Sequence, residues 1–407
     1  MTGTERRASW VPVPRDSPFP LSNLPFGSFS AGDPRRGLGV AIGDAVLDLG
    51  EAARTTGSGF AELVGGPILN PLMEVGPSAW NEVREAVTDW LVDPYHRERI
   101  EPLLVPRESV TLHLPFDVGD YVDFYSSEHH AANAGRILRP GTDPLPAQWK
   151  YLPIGYHGRA GTVAVSGTPV KRPFGQVRSH EASKGSDFRR SQALDIEAEV
   201  GFVVGTPTRL GHPVPVSGFD DHVFGVVILN DWSARDVQAW EYVPLGPFLG
   251  KSFLTSVSPW VVPLAALQAA RIPPPARAPK PLPYLDDTGL NSGLDITLEV
   301  ALNGQVISRP PFSGMYWTAA QQLAHLTSNG ASLRTGDLYG SGTVSGPSPD
   351  QVGSLLELSW GGSKPFVTPD GLQHTYLADG DEVCISGYAP AVGGGTLGFG
   401  DVRGRVE

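Results

Sequence analysis

Residues 195–204 read Asp195-Ile-Glu197-Ala-Glu199-Val200-Gly-Phe-Val-Val204, an acidic head running into a short apolar stretch. Apolar runs of this length, rich in β-branched and aromatic residues, predict strands. A second run, Phe224-Gly-Val-Val-Ile-Leu229, ends two residues before Asp231, and similar runs at 162–166, 296–302 and 355–360 extend the strand reading along the chain. Nearer the N-terminus, residues 38–49 divide into two short strands about a Gly43-Asp44 turn, as in the edge of a small barrel. Helices are fewer. Val83, Ala86, Val87, Trp90 and Leu91 recur at helical spacing over 78–92, with Ser78 as the candidate cap. Thr318-Ala-Ala-Gln321 is a capping box that opens a helix closed by Asn329-Gly330. The proline-rich stretch 272–283 is read as an extended surface lap, since strands resume on both sides of it.

The 407 residues suit two domains, divided here at a turn-rich stretch into 1–115 and 116–407. With 49 Gly, 39 Pro, 9 Trp, 11 Tyr and 16 Phe, the chain is expected to be mainly β, of α+β class, with many tight turns around packed aromatics. A net charge of −12 argues against a nucleic-acid binder, which needs a basic stripe. One Cys excludes a disulfide framework and fits a reducing cytoplasm. No apolar stretch is long enough to span a bilayer, and Met1–Trp10 lacks the apolar core of a signal peptide.

The acidic head carries the first chemical expectation. Residues two apart in a strand face the same way, so Glu197 and Glu199 project together about 6–7 Å apart, and a cation relieves their repulsion. A solvated strand face is the alternative. Asp231 at a strand end and Asp123 among the aromatics of 119–127 add two more carboxylates. With no Cys cluster, such a group suits Mg²⁺, Ca²⁺ or Mn²⁺. A helix over 233–242 would put Arg235, Gln238 and Tyr242 on one face, a candidate grip for an oxyanion. Lys251 follows an apolar loop. His130 lies in the first turn of a helix begun by Ser126-Ser127, where the dipole favours a neutral ring able to act as a base; His129 competes with it. No G-x-S-x-G elbow or Walker loop occurs, so hydrolysis would use activated water.

Several longer stretches carry a resemblance: Asp123-Phe-Tyr-Ser-Ser, Gly155-Tyr-His-Gly-Arg, Asp195-Ile-Glu-Ala-Glu, Asn230-Asp-Trp-Ser-Ala-Arg-Asp, the run Trp240–Phe253, and Ser341-Gly-Thr-Val-Ser-Gly-Pro. Together they resemble the fumarylacetoacetase family, from Phe19 through Gly400. The resemblance implies an SH3-like N-terminal barrel, a mixed β-roll catalytic domain, and a cytoplasmic homodimer. It implies hydrolysis of 4-fumarylacetoacetate to fumarate and acetoacetate, the last step of tyrosine and phenylalanine catabolism, with a divalent cation and no organic cofactor. Asp123, Glu197, Glu199 and Asp231 would hold that cation, and Lys251 and Thr255 would lie beside a second one near Asp231. His130, oriented by Glu357, would activate water. Arg235, Gln238 and Lys251 would receive the oxyanion, and Tyr125, Arg139, Tyr156, Gln238, Tyr242 and Thr343 would contact substrate. Leu254 departs from the smaller residue expected there. A related acylpyruvate hydrolase or oxaloacetate-type decarboxylase is the nearest alternative, and an idle metal-binding dimer the next.

Overall fold

The computed structural model describes residues 8–32, 34–179, 181 and 183–407, so most of the N-terminal leader reading lies outside the described residues. One thirteen-stranded sheet organises the molecule. Its N-terminal strands are β1 (Phe26–Ser30), β2 (Gly37–Ile42), β3 (Ala45–Asp48), β4 (Leu104–Pro106) and β5 (Thr111–His113), with helix α1 (Pro77–Val92) between β3 and β4. Next come β6 (Tyr121–Phe124), α2 (Glu128–Leu138), β7 (Gly155–His157), β8 (Val163–Val165), β9 (Ala198–Val204) and β10 (Val223–Asp231). Helix α3 (Arg235–Glu241) precedes β11 (Thr255–Val257) and β12 (Trp260–Pro263). The strand order is β4-β3-β2-β1-β12-β10-β9-β15-β6-β7, where β15 is Leu338–Gly340; β5 pairs with β1, β11 with β10, and β8 with β11. A second sheet of five strands gathers β13 (Thr297–Leu302), β14 (Gln305–Ser308), β16 (Glu382–Pro390), β17 (Thr396–Gly398) and β18 (Val402–Arg405). Helices α4 (Ala319–Thr327) and α5 (Leu355–Leu358) complete the frame.

The central strands are apolar on both faces because both faces are covered. Along β9 and β10, Val200, Phe202, Val226 and Ile228 join a cluster with Leu298, Val300 and Ile385 of the second sheet. Their neighbours Val203, Val227 and Leu229 join another cluster with Leu72, Val83, Val87 and Trp90 of the N-terminal helices. The two N-terminal strands read around Gly43-Asp44 form β2 and β3, with Ile42 opposite Ala45. Phe26 of β1 pairs with Val261 of β12, so the N-terminal strands continue the sheet that carries the acidic residues.

Three local expectations change. α1 begins at Pro77 behind Gly76, with no side-chain cap, rather than on Ser78: proline supplies a preset φ at the first helical position. Ser233 and Ala234 are extended and pair with Asp195 and Leu194, so α3 starts only at Arg235. Residues 355–358 are a helical turn instead of a strand, because Ser354 accepts from the Glu357 N–H and the Asp195 carboxylate takes the amides of Leu355 and Leu356.

The capping box of α4 forms as read, with Thr318 and Gln321 bonding reciprocally, and the helix ends at Thr327, where Gly330 returns an N–H at positive φ. Thr318→Ala is expected to lower stability by about 1 kcal/mol, read from the midpoint of denaturant unfolding. No change would mean that Gln321 alone holds this helix start. Among the described residues, no helix is long and apolar enough to cross a membrane.

Candidate active site

Strand register assembles the acids. β6 sets Asp123 opposite Tyr156 of β7, and β10 sets Asp231 opposite Thr255 of β11. The parallel pairing of β15 with β6 brings Gly340 beside Asp123. A Cβ at Gly340 would lie 2.6 Å from Glu199 Oε2 and 2.9 Å from Asp123 Oδ1, so only glycine leaves these carboxylates their room. Glu197 enters from the residue just before β9, its own N–H given to Asn230 Oδ1.

Oxygen atoms of Asp123, Glu197 and Asp231 lie within 4.8 Å of one another, all three residues buried. Glu199, equally buried, sits beside Asp123 with Oε2 accepting from the Gly342 N–H at 3.0 Å. Tyr156 and Thr255 donate to the two oxygens of Asp231 at 2.9 and 3.0 Å. Lys251 donates to Asp231 at 2.8 Å and also to Glu197, so this lysine is a buried counterion and not a snorkelling one. Burial and the neighbouring carboxylates push Asp123 and Glu199 well above the usual range. Burial also acts to raise Glu197, but Lys251 and Arg235 overcome it and hold that carboxyl low. Asp123 Oδ1 and Glu199 Oε1 are buried with no hydrogen-bond partner among the described residues. Crowded carboxylate oxygens with lone pairs to spare fit a hard divalent cation.

A second group lies on α2 and α5. Ser127 caps α2 and accepts from the backbone N–H of His130. His130 Nδ1 faces Glu357 Oε2 at 2.7 Å, both side chains buried. The carboxylate is held further by Asn133 at 3.0 Å, Ser345 at 2.9 Å and Ser354 at 2.8 Å. Burial raises Glu357, yet His130, Asn133 and Ser354 outweigh it and keep the carboxyl below its ordinary value. A carboxylate at Nδ1 takes that N–H and leaves Nε2 as the basic nitrogen. His129 is exposed.

Between these groups Arg235 gives Nη1 to Glu197 at 2.8 Å and to Gln238 at 3.1 Å, and Nε to Asp195 at 2.8 Å; its Nη2 is buried and has no partner among the described residues. A buried guanidinium nitrogen with nothing to donate to is a ready partner for a developing negative charge. The Tyr125 ring meets the His130 ring edge-on at 5.5 Å, and its hydroxyl donates to Ala131 O. Burial pushes the Tyr125 phenol up, with Glu197 adding to it and Arg139 opposing. Arg139 caps the end of α2 and donates to Pro144 O. Thr343 is buried, its hydroxyl without a hydrogen-bond partner among the described residues. Tyr242, half-buried past the end of α3, gives its backbone N–H to Gln238 O. Leu254 packs into the large apolar cluster ahead of Thr255. A cavity of about 140 Å³ reaches Tyr156, Asp231, Lys251 and Thr255 from the side of Arg159 and Phe248.

Asp195, Asn133, Ser345 and Ser354 were not expected at the site. For Ser354 a signal existed: Ser354-x-x-Glu357 has capping-box spacing.

Residues 121–407 match the family model described as fumarylacetoacetate (FAA) hydrolase, C-terminal, and residues 22–115 match fumarylacetoacetase, N-terminal. The chain is 47% identical to the fumarylacetoacetase of Homo sapiens over 414 residues, covering 98% of each. It is 43% identical to that of Arabidopsis thaliana over 423 residues, again 98% of each. Among solved structures, fumarylacetoacetate hydrolase from Exiguobacterium antarcticum shares the fold at a TM-score of 0.54 and 18% identity, over 94% of this chain and 99% of that one. Maleylpyruvate hydrolase from Sphingobium sp. SYK-6 does so at 0.51 and 14%, over 94% and 100%. Full-length likeness to the relatives and matches to both family models establish that the chain belongs to the fumarylacetoacetate hydrolase family.

Proposed function

We propose that this chain is a hydrolase that cleaves the C–C bond of 4-fumarylacetoacetate, giving fumarate and acetoacetate in tyrosine and phenylalanine catabolism. The observation that carries the reading is the buried His130–Glu357 pair, 2.7 Å apart, in a chain alike over its full length to fumarylacetoacetases. The related acylpyruvate hydrolase or decarboxylase reading is not favoured by those relatives.

His130 Nε2 takes a proton from water as the water oxygen bonds to the ketone carbon. The imidazolium that forms is steadied by Glu357. The alkoxide is received by Arg235 Nη2, by the amide of Gln238 and by the remaining N–H of Lys251, and losing one such donor would raise the barrier by on the order of 3–4 kcal/mol. As the C–C bond breaks, the electron pair passes to the acetoacetate carbon, and His130 returns its proton there. Arg139 pairs with a substrate carboxylate, while Tyr125, Tyr156, Tyr242 and Thr343 shape the rest of the cleft. Asp123, Glu197, Glu199 and Asp231 would hold a divalent cation, Mg²⁺ or Ca²⁺ with Mn²⁺ as a further candidate, and Thr255 and Lys251 would adjoin a second. Bound there, the cation would polarise the diketone oxygens and stabilise the enolate.

The same reading, on the family resemblance, makes 1–115 an SH3-like barrel and 116–407 a β-roll, and the spans of the two family models support the division between them. It also makes the protein a cytoplasmic homodimer, which the family resemblance supports. Purified protein with fumarylacetoacetate and Mg²⁺ is expected to yield fumarate and acetoacetate in equal amounts, and chelation to abolish it. Folded protein that makes neither product would overturn the assignment; turnover that survives exhaustive chelation would remove the cation from the reaction.

A further inference from the structure

Asp195 belongs to neither the acid group nor the histidine pair, yet it is fully buried and its carboxylate receives four donors. Oδ1 accepts from the backbone N–H of Ile196 at 2.7 Å and of Leu355 at 2.7 Å. Oδ2 accepts from Leu356 N–H at 3.0 Å and from Arg235 Nε at 2.8 Å. The carboxylate therefore joins two elements far apart in sequence. One is the guanidinium whose free Nη2 is the candidate oxyanion donor. The other is the first turn of α5, which carries Glu357 two residues past Leu355. The short pairing of Leu194–Asp195 with Ser233–Ala234 sets Asp195 beside the start of α3, while its own carboxylate reaches the first turn of α5.

We infer that Asp195 is a positioning residue that holds Arg235 and the Glu357–His130 pair in one rigid frame, so that the oxyanion donor and the general base keep a fixed separation. The inference rests on the roles proposed above for Arg235 and Glu357. A carboxylate accepts on both sides, whereas an isosteric amide turns a donor toward one of them, so Asp195→Asn must release either the Ile196 and Leu355 amides or the guanidinium together with the Leu356 amide. Misplacement of a catalytic group by a fraction of an ångström lowers kcat more than it changes binding.

In the full chain, Asp195→Asn is expected to lower kcat roughly 10–100-fold with KM within about threefold. Added to Arg235→Gln or to Glu357→Gln, it should cost less than about threefold more, as expected of residues that act as one unit. Losses that multiply in both backgrounds, or an unchanged kcat, would overturn the inference. A second measurement keeps it testable if Asp195→Asn fails to fold. In Arg235→Gln protein, the amides of Leu355 and Leu356 should exchange hydrogen at least about tenfold faster than in the parent, with β13 and β16 unchanged. Unaltered protection at those two amides would overturn the frame. Exchange does not depend on the substrate, so its failure refutes the coupling alone, while a parent protein without turnover refutes the proposed function alone.

Discussion

His130→Ala is expected to lower kcat by roughly 10³–10⁴-fold while KM stays within a few-fold. The ring sits on the first turn of α2, buried, with Nδ1 committed to Glu357. Its removal deletes the group proposed to take the proton from water and return it to carbon, and no second base replaces it: His129, the adjacent imidazole, is exposed. Glu357→Gln should fall in the same direction, since an amide that turns its NH₂ toward Nδ1 forces the proton onto Nε2 and blocks the base. The two losses should not multiply, because both act on one proton transfer. Steady-state kinetics on the diketone provides the check. An Ala variant that kept a tenth of parental kcat would remove His130 from the mechanism.

Glu197→Ala is expected to be strongly damaging to stability, on the order of 3–5 kcal/mol, read from urea unfolding. The carboxylate is buried between two cations, Lys251 and Arg235. Its loss leaves both buried charges under-compensated. Lys251 retains Asp231 and Arg235 retains Asp195, which limits the damage but restores neither geometry. Because the folded-state pKa of Glu197 lies below its ordinary value, its contribution is present at neutral pH and is lost as the pH falls through that lowered value. Glu197→Gln keeps the volume and isolates the charge. A loss below about 1 kcal/mol in the Ala variant would show that these ion pairs add little beyond their own desolvation.

The strands were legible because their burial is simple. β9 and β10 are covered on both faces, so their apolar runs are continuous, and β2 and β3 declare their turn through Gly43-Asp44. The four acids were named together through the family resemblance, whereas strand alternation alone paired only Glu197 with Glu199. Yet β9 starts at Ala198, and the atoms that converge come from Asp123, Glu197 and Asp231, with Glu199 placed against Asp123 and Gly342. α5 was read as a strand because Leu-Leu-Glu-Leu carries no helical period within four residues. The carboxylate that ends its backbone deficit lies 160 positions away in the chain. Asn133 and Ser345 could not be singled out for the same reason: a small polar residue acquires meaning only from the carboxylate it meets.

The union of β1 with β12 has a consequence in time. Phe26 leaves the ribosome long before its partner Val261, and Asp123 long before Gly340, its neighbour on the parallel strand. At about 5–20 residues per second, synthesis leaves one edge of β1 waiting for an interval on the order of tens of seconds. The nascent N-terminal segment must therefore stay soluble as an incomplete sheet. A chain cut anywhere between residues 113 and 260 would keep that edge open permanently, a template for pairing with other chains rather than a smaller working protein.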